Sequence, residues 1–490
     1  MDKKSAASIF INAGILAEPE AVDYVVDKGI DAEQLSGKLL SSGKFFLTKD
    51  IAESFSEEGN KIKNVVEVKP ASKKSIAKDI SGSVKINSQD EEQQNTKTLT
   101  DFVAYFNDRY EKIKTILMAH SEVKNPMSVG RLKEAADEKG VCVIVILSDI
   151  NISKNGHHIV NIEDPTGTMT AIIMKDKNIG EEAIISDEIV ALTGSVSNGT
   201  MFVNSIVFPD VPVMNGFDKK IEDDVSVVMI SDIHKGSNEY LQKVEDKFVN
   251  WLKSGEDGAG KVKYICMSGD NVDGVGIYPG QKQDLKIPDI YDQYLAFETF
   301  IERIPEHIEI VIIPGNHDAV RLAEPQPAIG KNFFPNITGF KNVHLGPNPC
   351  RVELHGMDSR AGMDVLMYHG YSFTKIINAV PSLRVKGMDQ PEHVMTELLR
   401  KRHLAPMYKS TQLMPSGDDL HVIKRVPDIF QTGDLHSFAI KNYRGVLMVS
   451  ASTFQGQTAF MDRVGHESNP GKVTVVSLKD KRPRVLDLIN

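Results

Sequence analysis

Cysteine is scarce in this sequence: Cys142, Cys266 and Cys350 stand far apart in 490 residues. An odd number so widely spaced excludes a disulfide framework and supplies no thiolate cluster for structural zinc, so the three read as reduced, structural thiols. Long apolar runs are missing as well. The longest, such as 225–230 and 308–314, have strand length and fall far short of the roughly 20 residues a membrane-crossing helix needs, so no membrane segment is expected. Near the start, Glu18, Glu20 and Asp23 break the apolar stretch where a cleavage site would follow, so export is not expected and the chain should stay in the cytoplasm. Nor is there an excess of cations. A net charge of −10 excludes coating of nucleic acid by bulk electrostatics, so any such contact needs a local patch or a partner. The single tryptophan, Trp251, sits in a helical pattern with Phe248 and Leu252 and belongs to a core.

What is present is length enough for several domains. Residues 1–60 carry helix-spaced Ile9, Ile11, Ile15, Val22, Val25 and Val26 and predict a small α-helical domain, a probable protein-binding module. Residues 61–98 are rich in Lys, Ser, Gln and Glu with few large apolar side chains, the composition of a disordered linker. Residues 99–217 open with a helix, capped by Thr100, whose Phe102, Phe106, Tyr110, Ile113 and Leu117 share a face. Strand patterns follow at 141–147, 158–162, 169–174, 188–194 and 201–207, with a short helix at 179–185 after the third. Five strands with that interruption predict an OB-fold β-barrel, which either meets single-stranded nucleic acid or serves as a structural module.

Residues 218–490 alternate short Val, Ile and Met runs with helices and Gly-rich loops, which predicts an α/β domain. Five of its runs stop at residues able to bind metal. Run 225–230 leads to Asp232 and His234, and run 262–267 to Gly269 and Asp270. Run 308–313 leads to Gly315, Asn316, His317 and Asp318, run 365–367 to His369, and run 429–431 to Gly433, Asp434 and His436. Ligands of α/β sheets gather beyond the carboxyl ends of strands, so five such endings can converge on one crevice. One of them alone says little, because a histidine after a strand is usually an ordinary hydrogen-bonded side chain; the ordered set carries the reading. Asp232 and His234, two apart in extended backbone, face one side and can share an ion. Asp270 is the candidate bridge between two divalent ions roughly 3.5–4 Å apart, a pair that clamps both oxygens of a phosphoryl displacement. Carboxylate, amide and imidazole suit Mn2+, Mg2+, Fe2+ or Zn2+; with no thiolate to favour zinc, Mn2+ is expected. Arg400, Lys401 and Arg402 follow a helical pattern and either meet DNA phosphates or form a solvated helix end. The segment 485–489 reads as a terminal strand or a partner peptide.

Asp-x-His at 232–234, Gly-Asp at 269–270, Gly-Asn-His-Asp at 315–318, His369 and Gly-x-x-His at 433–436 resemble the ordered motifs of calcineurin-like metallophosphoesterases. The helical stretch 102–117, the linker before it, the barrel segment and Ser452-Thr453-Phe454-Gln455-Gly456-Gln457-Thr458 resemble the small subunit of archaeal family D DNA polymerases. That likeness runs from residue 99 onward, while the first 60 residues share only the general layout. It implies a heterodimeric replicative polymerase with a large catalytic subunit as partner, and a proofreading 3′ to 5′ exonuclease acting on single-stranded or mismatched 3′ ends. It also implies that Asp232, His234, Asp270 and His436 surround one ion and that Asp270, Asn316, His369 and Asp434 surround the other. His317 would protonate the leaving 3′ oxygen, with Asp318 fixing its orientation and tautomer. One position departs from the family, which has Gly-His-x-His at the fifth motif where this chain carries Asp434. A carboxylate ligates a hard ion but adds negative charge, and Mn2+-dependent activity is expected to survive it. Two other readings stay open: a catalytically weak scaffold subunit, and a phosphatase with the same dimetal core.

Overall fold

The computed structural model describes residues 2–13, 15–41, 46–49, 51–52, 76–87, 97–135, 137–175, 184–213, 221–357 and 360–489. Every residue of Ser226–Ile230 is buried, with Val227 and Met229 in one apolar layer and Val228 and Ile230 in another. A continuous apolar run of this kind is what a strand covered on both faces requires. It pairs in parallel with Val262–Ser268, which in turn pairs in parallel with Glu309–Ile313. The six-stranded sheet around them runs Val343–Leu345, Glu309–Ile313, Val262–Ser268, Ser226–Ile230, Lys472–Ser477 and Pro483–Asp487. A second sheet runs Ala439–Tyr443, Val446–Ser450, Ile429–Thr432, Met363–Met367, Cys350–Leu354 and Val84–Ile86.

The two sheets face each other across Val227, Met229, Cys266, Val311, Val365 and Val449. Helices Gln242–Ser254 and Ile290–Glu302 cover the outside of the first sheet, burying Phe248, Trp251, Phe297 and Phe300. Helices Phe373–Ala379 and Pro391–Lys401 cover the second through Phe373, Ile376, Met395 and Leu398. The α/β expectation is met as a sandwich of helix, sheet, sheet and helix. The terminal strand expected near the end of the chain is Pro483–Asp487, antiparallel to Lys472–Ser477. All three cysteines are buried and free.

Asp137–Ile152, His158–Asp164, Gly167–Ile173, Thr200–Val207 and Ile189–Ser197 close into a barrel, neighbours in that order. The short helix expected over 179–185 falls mostly on residues outside those described. Helix Leu99–Met118 precedes the barrel and begins at Thr98, not at Thr100. Thr98 and Asp101 form a reciprocal capping box, whereas Val103 offers no such partner to Thr100. Its buried residues include Tyr105 and Arg109 besides Tyr110, Ile113 and Leu117.

Two expectations are corrected. Within 61–98, read as linker, residues 84–86 form a strand that pairs antiparallel with 352–354 and completes the second sheet; much of the remainder lies outside the described residues. The three-residue run Val-Lys-Ile is too short to register as a strand until its partner's edge is known. At the N-terminus, helices Lys3–Asn12, Pro19–Asp27 and Ala32–Ser41 pack on Phe10, Ile15, Val25 and Leu35, while Ile11 is exposed. Among the described residues no helix is long and apolar enough to cross a membrane.

Candidate metal centre

Parallel pairing brings the five strand ends to one edge of the sandwich, and backbone hydrogen bonds then lace their loops together. Asp232 N donates to Gly269 O (3.0 Å), His234 N to Asp270 O (3.0 Å) and Gly433 N to His369 O (2.8 Å). His317 N donates to Asp270 Oδ1 (2.9 Å), and Asp434 N donates to both Asp232 carboxylate oxygens (3.2 Å each). Sharp reversals are needed for the side chains to face inward. Asp232, His234, Asp270, Asp434 and His436 accordingly all have left-handed φ, between 45° and 70°, a conformation that L residues hold only when the surroundings over-determine it. Glycines make the room: a Cβ on Gly315 would strike Asp270, and one on Gly433 would strike Ser231 and Asp232.

The side chains form two groups around Asp270. In one, His234 Nε2 lies 3.0 Å from His436 Nε2, His436 Nε2 lies 3.3 Å from Asp232 Oδ1, and Asp270 Oδ2 lies 3.6 Å from His234 Nε2. In the other, His369 Nε2 lies 3.0 Å from Asn316 Oδ1, 3.4 Å from Asp270 Oδ1 and 3.7 Å from Asp434 Oδ1. The two oxygens of Asp270 thus serve different groups. Each group draws residues from both sheets.

These residues fit a pair of divalent ions. The ring nitrogens that face away are anchored, His234 Nδ1 on Asp273 Oδ1 (3.0 Å) and His369 Nδ1 on the Ser268 carbonyl (2.9 Å). Such outer partners fix the tautomer and leave Nε2 free to ligate. Burial opposes ionisation of Asp270, yet the His369, His317 and His234 rings hold its carboxyl well below the usual range. Asp434 goes the other way: burial, reinforced by the Asp270 and Asp232 charges and opposed by His369, pushes it up to about 6.

His317 stands beside these groups, its ring edge-on to His234 at 4.8 Å and its Nε2 4.0 Å from Asp270 Oδ2. Its Nδ1 donates to the Asp273 carbonyl (2.7 Å). Asp318 therefore does not orient His317, as had been expected from the resemblance. Its carboxylate accepts from Gly315 N (2.9 Å), Asn271 Nδ2 (3.0 Å) and Tyr294 OH (3.0 Å), tying the loop to its neighbours. Burial and the nearby Asp270 charge push it up to about 6 despite those donors.

Two participants escaped the sequence reading. Asp273 holds His234 by its carboxylate and His317 by its carbonyl, and Gln455 Nε2 donates to Asp273 Oδ1 (3.0 Å). Asp273 ends no strand, so the strand-end signal passes it by; Gln455 lies in the Ser452 to Thr458 stretch already singled out by resemblance. The site opens into a cavity of about 510 Å3 with an apolar wall of Ile277, Tyr278, Met388, Phe460 and Met461.

Arg400, Lys401 and Arg402 are the clearest correction. Lys401 and Arg402 are buried, Lys401 paired with Glu188 (2.7 Å) and Arg402 donating to the Ile423 (2.8 Å) and Lys424 (2.7 Å) carbonyls. The Arg400 guanidinium lies over the Phe208 ring at 4.1 Å. A helix end that packs against the barrel cannot also offer these charges to phosphates.

Residues 227–440 match the family model for the B subunit of DNA polymerases alpha and epsilon, which sets the class: an accessory subunit of a DNA polymerase. The DNA polymerase II small subunit of Archaeoglobus fulgidus is 35% identical over 97% of this chain and 96% of its own. That of Thermoplasma acidophilum is 33% identical over 99% and 93%, and that of Methanothermobacter thermautotrophicus 33% over 96% and 96%. The chain belongs to the family of archaeal DNA polymerase II small subunits. A solved archaeal phosphodiesterase aligns with 54% of this chain and 99% of its own at 11% identity, with a TM-score of 0.26.

Proposed function

We propose that this subunit is a dimetal 3′ to 5′ exonuclease that hydrolyses terminal phosphodiesters, proofreading for the large polymerase subunit that it accompanies in the cytoplasm. The observation that carries the reading is the sharing of Asp270 between two groups of ligands, with His317 poised beside them. When bound, two divalent ions, Mn2+ by preference, supply Lewis acidity and a clamp for the scissile phosphate. Asp232, His234, Asp270 and His436 would hold one ion, and Asp270, Asn316, His369 and Asp434 the other.

The residues around them have their own tasks. With Nδ1 committed to the Asp273 carbonyl, His317 presents Nε2 to the cavity. Burial depresses its basicity, but Asp270 and Asp273 outweigh that and raise it, favouring a ring that carries a proton at Nε2 for the leaving 3′ oxygen. The apolar wall excludes water on one side of the reacting phosphate. We read the closed barrel as an OB-fold that helps to seat a single strand, and the N-terminal helices as a protein-binding module.

The test is purified chain, with and without the large subunit, in Mn2+ on a 3′-mismatched primer and on a small aryl phosphate ester. Wild type should shorten the primer, and His317→Ala should lose about 10²–10⁴-fold, the usual worth of a general acid. Equal rates in wild type and His317→Ala would end the exonuclease reading. A second reading, a catalytically weak scaffold, is favoured by Asp434, which puts a third carboxylate next to Asp232 and Asp270; it predicts no shortening in either preparation.

A further inference from the structure

The metal cavity does not end at its own rim. Thr374 lines both it and a neighbouring cavity of about 460 Å3, bounded also by Tyr371, Lys375, Tyr408, Lys409 and Thr411. Phe102 and Tyr408 then line both that cavity and a groove of about 610 Å3 beside the barrel. The three are continuous from the metal ligands to helix Leu99–Met118.

The middle cavity differs in charge from the rest of the molecule. In a chain of net charge −10, it is lined by two lysines and three aromatic rings, with no carboxylate among its described lining residues. Lys375 and Lys409 are exposed, and Tyr408 is 45% exposed, its ring 5.5 Å from Lys409 Nζ. Further on, Glu163 and Asp164 line the groove and turn its potential against phosphate. Cations interleaved with aromatic faces are the equipment with which proteins hold a single strand irrespective of sequence.

We propose that the nucleic-acid strand whose 3′ end reaches the metal centre runs back through this middle cavity. Its phosphates lie beside Lys375 and Lys409 and its bases against Tyr371 and Tyr408, and the track ends at Phe102, before the acidic groove. This rests on the nucleic-acid reading of the metal site and extends it by naming where the rest of the strand lies. The lysines that serve phosphate are thus these two, in place of the three at the end of helix Pro391–Lys401.

The test is fluorescence anisotropy of an end-labelled oligothymidylate of about ten nucleotides and of a trinucleotide, titrated with the full chain in chelator across a range of salt. The longer strand should bind tighter. Lys375→Gln/Lys409→Gln should weaken it about tenfold and flatten the plot of log affinity against log salt by about 1.4, roughly 0.7 per phosphate contact on a single strand. Tyr408→Ala should weaken it without changing that slope. Wild type that binds both lengths equally, or a double variant with unchanged affinity and slope, overturns the track. Cleavage in Mn2+ is measured on the same proteins. Cleavage with unchanged binding would remove the track and leave the exonuclease, while the expected binding loss without cleavage in wild type would keep the track and remove the exonuclease.

Discussion

At the scale of the residue, the centre is governed by which ring nitrogen each histidine can offer. Asp273 holds His234 by Nδ1 and is itself held by Gln455. Asp273→Asn keeps the size and weakens that hold, and it should lower Mn2+ affinity by about 10–100-fold, as loss of an outer-shell carboxylate does; calorimetric titration of the metal-free chain reads this directly. Asp434 poses the opposite problem, a charge where an imidazole is expected. Since burial and two other carboxylates already push it up to about 6, Asp434→His should ease the electrostatic crowding and change Mn2+-dependent cleavage by no more than about tenfold. Wild type should still exceed Asp270→Ala by at least about a hundredfold in the same assay. If wild type and Asp270→Ala were equal and Asp434→His far faster than both, the native site would be the impaired one.

At the scale of the element, helix Leu99–Met118 is joined to the sandwich by buried charge. Arg109 Nε lies 2.6 Å from Asp419 Oδ2, Tyr105 OH donates to Asp419 Oδ1 (2.8 Å), and His403 Nε2 is 3.0 Å from Asp419 Oδ2. Arg109→Met leaves Asp419 a buried charge short of its partner and should cost about 3–5 kcal/mol in urea unfolding. The same helix shows where sequence reading stops. Its apolar spacing reveals a buried face, but nothing local distinguishes Arg109, which pairs with a residue 310 positions away, from an ordinary solvent-facing arginine. Lys401 and Arg402 were misread for that reason, since their partners lie on other elements. The strand ends were legible because the signal is local: a β-branched run followed at once by Gly, Asp, Asn or His. Residues 84–86 were not, because they become a strand only by pairing with 352–354, and Asp273 was not, because its meaning depends on where His234 and His317 come to rest.

At the scale of the whole molecule, the same buried network makes stability depend on pH. Burial works against a charge on His421, but its hydrogen bonds to Asp419 and Glu324 prevail and raise it to about 9. A histidine raised on folding contributes fully below its ordinary value of 6.5, and that contribution is lost as pH rises through about 9. His403 behaves oppositely: burial and the adjacent Arg109 hold it down at about 3, so the fold loses stability as pH falls below 6.5 towards that value. The thermal midpoint of the metal-free chain should therefore peak near neutrality, and His421→Gln should remove most of the decline between about pH 6.5 and 9, measured by scanning calorimetry across that window.

Each group of metal ligands draws on both sheets: His436 of the second sheet joins Asp232 and His234 of the first, and His369 and Asp434 of the second join Asn316 of the first. The gap between the two jaws of this calliper is set by side chains far from any ligand, Met229, Cys266, Val365 and Val449 among them. A methyl group added or removed in that dry seam changes the gauge at the rim, so the tolerance of the chemistry is machined into a layer that never touches substrate.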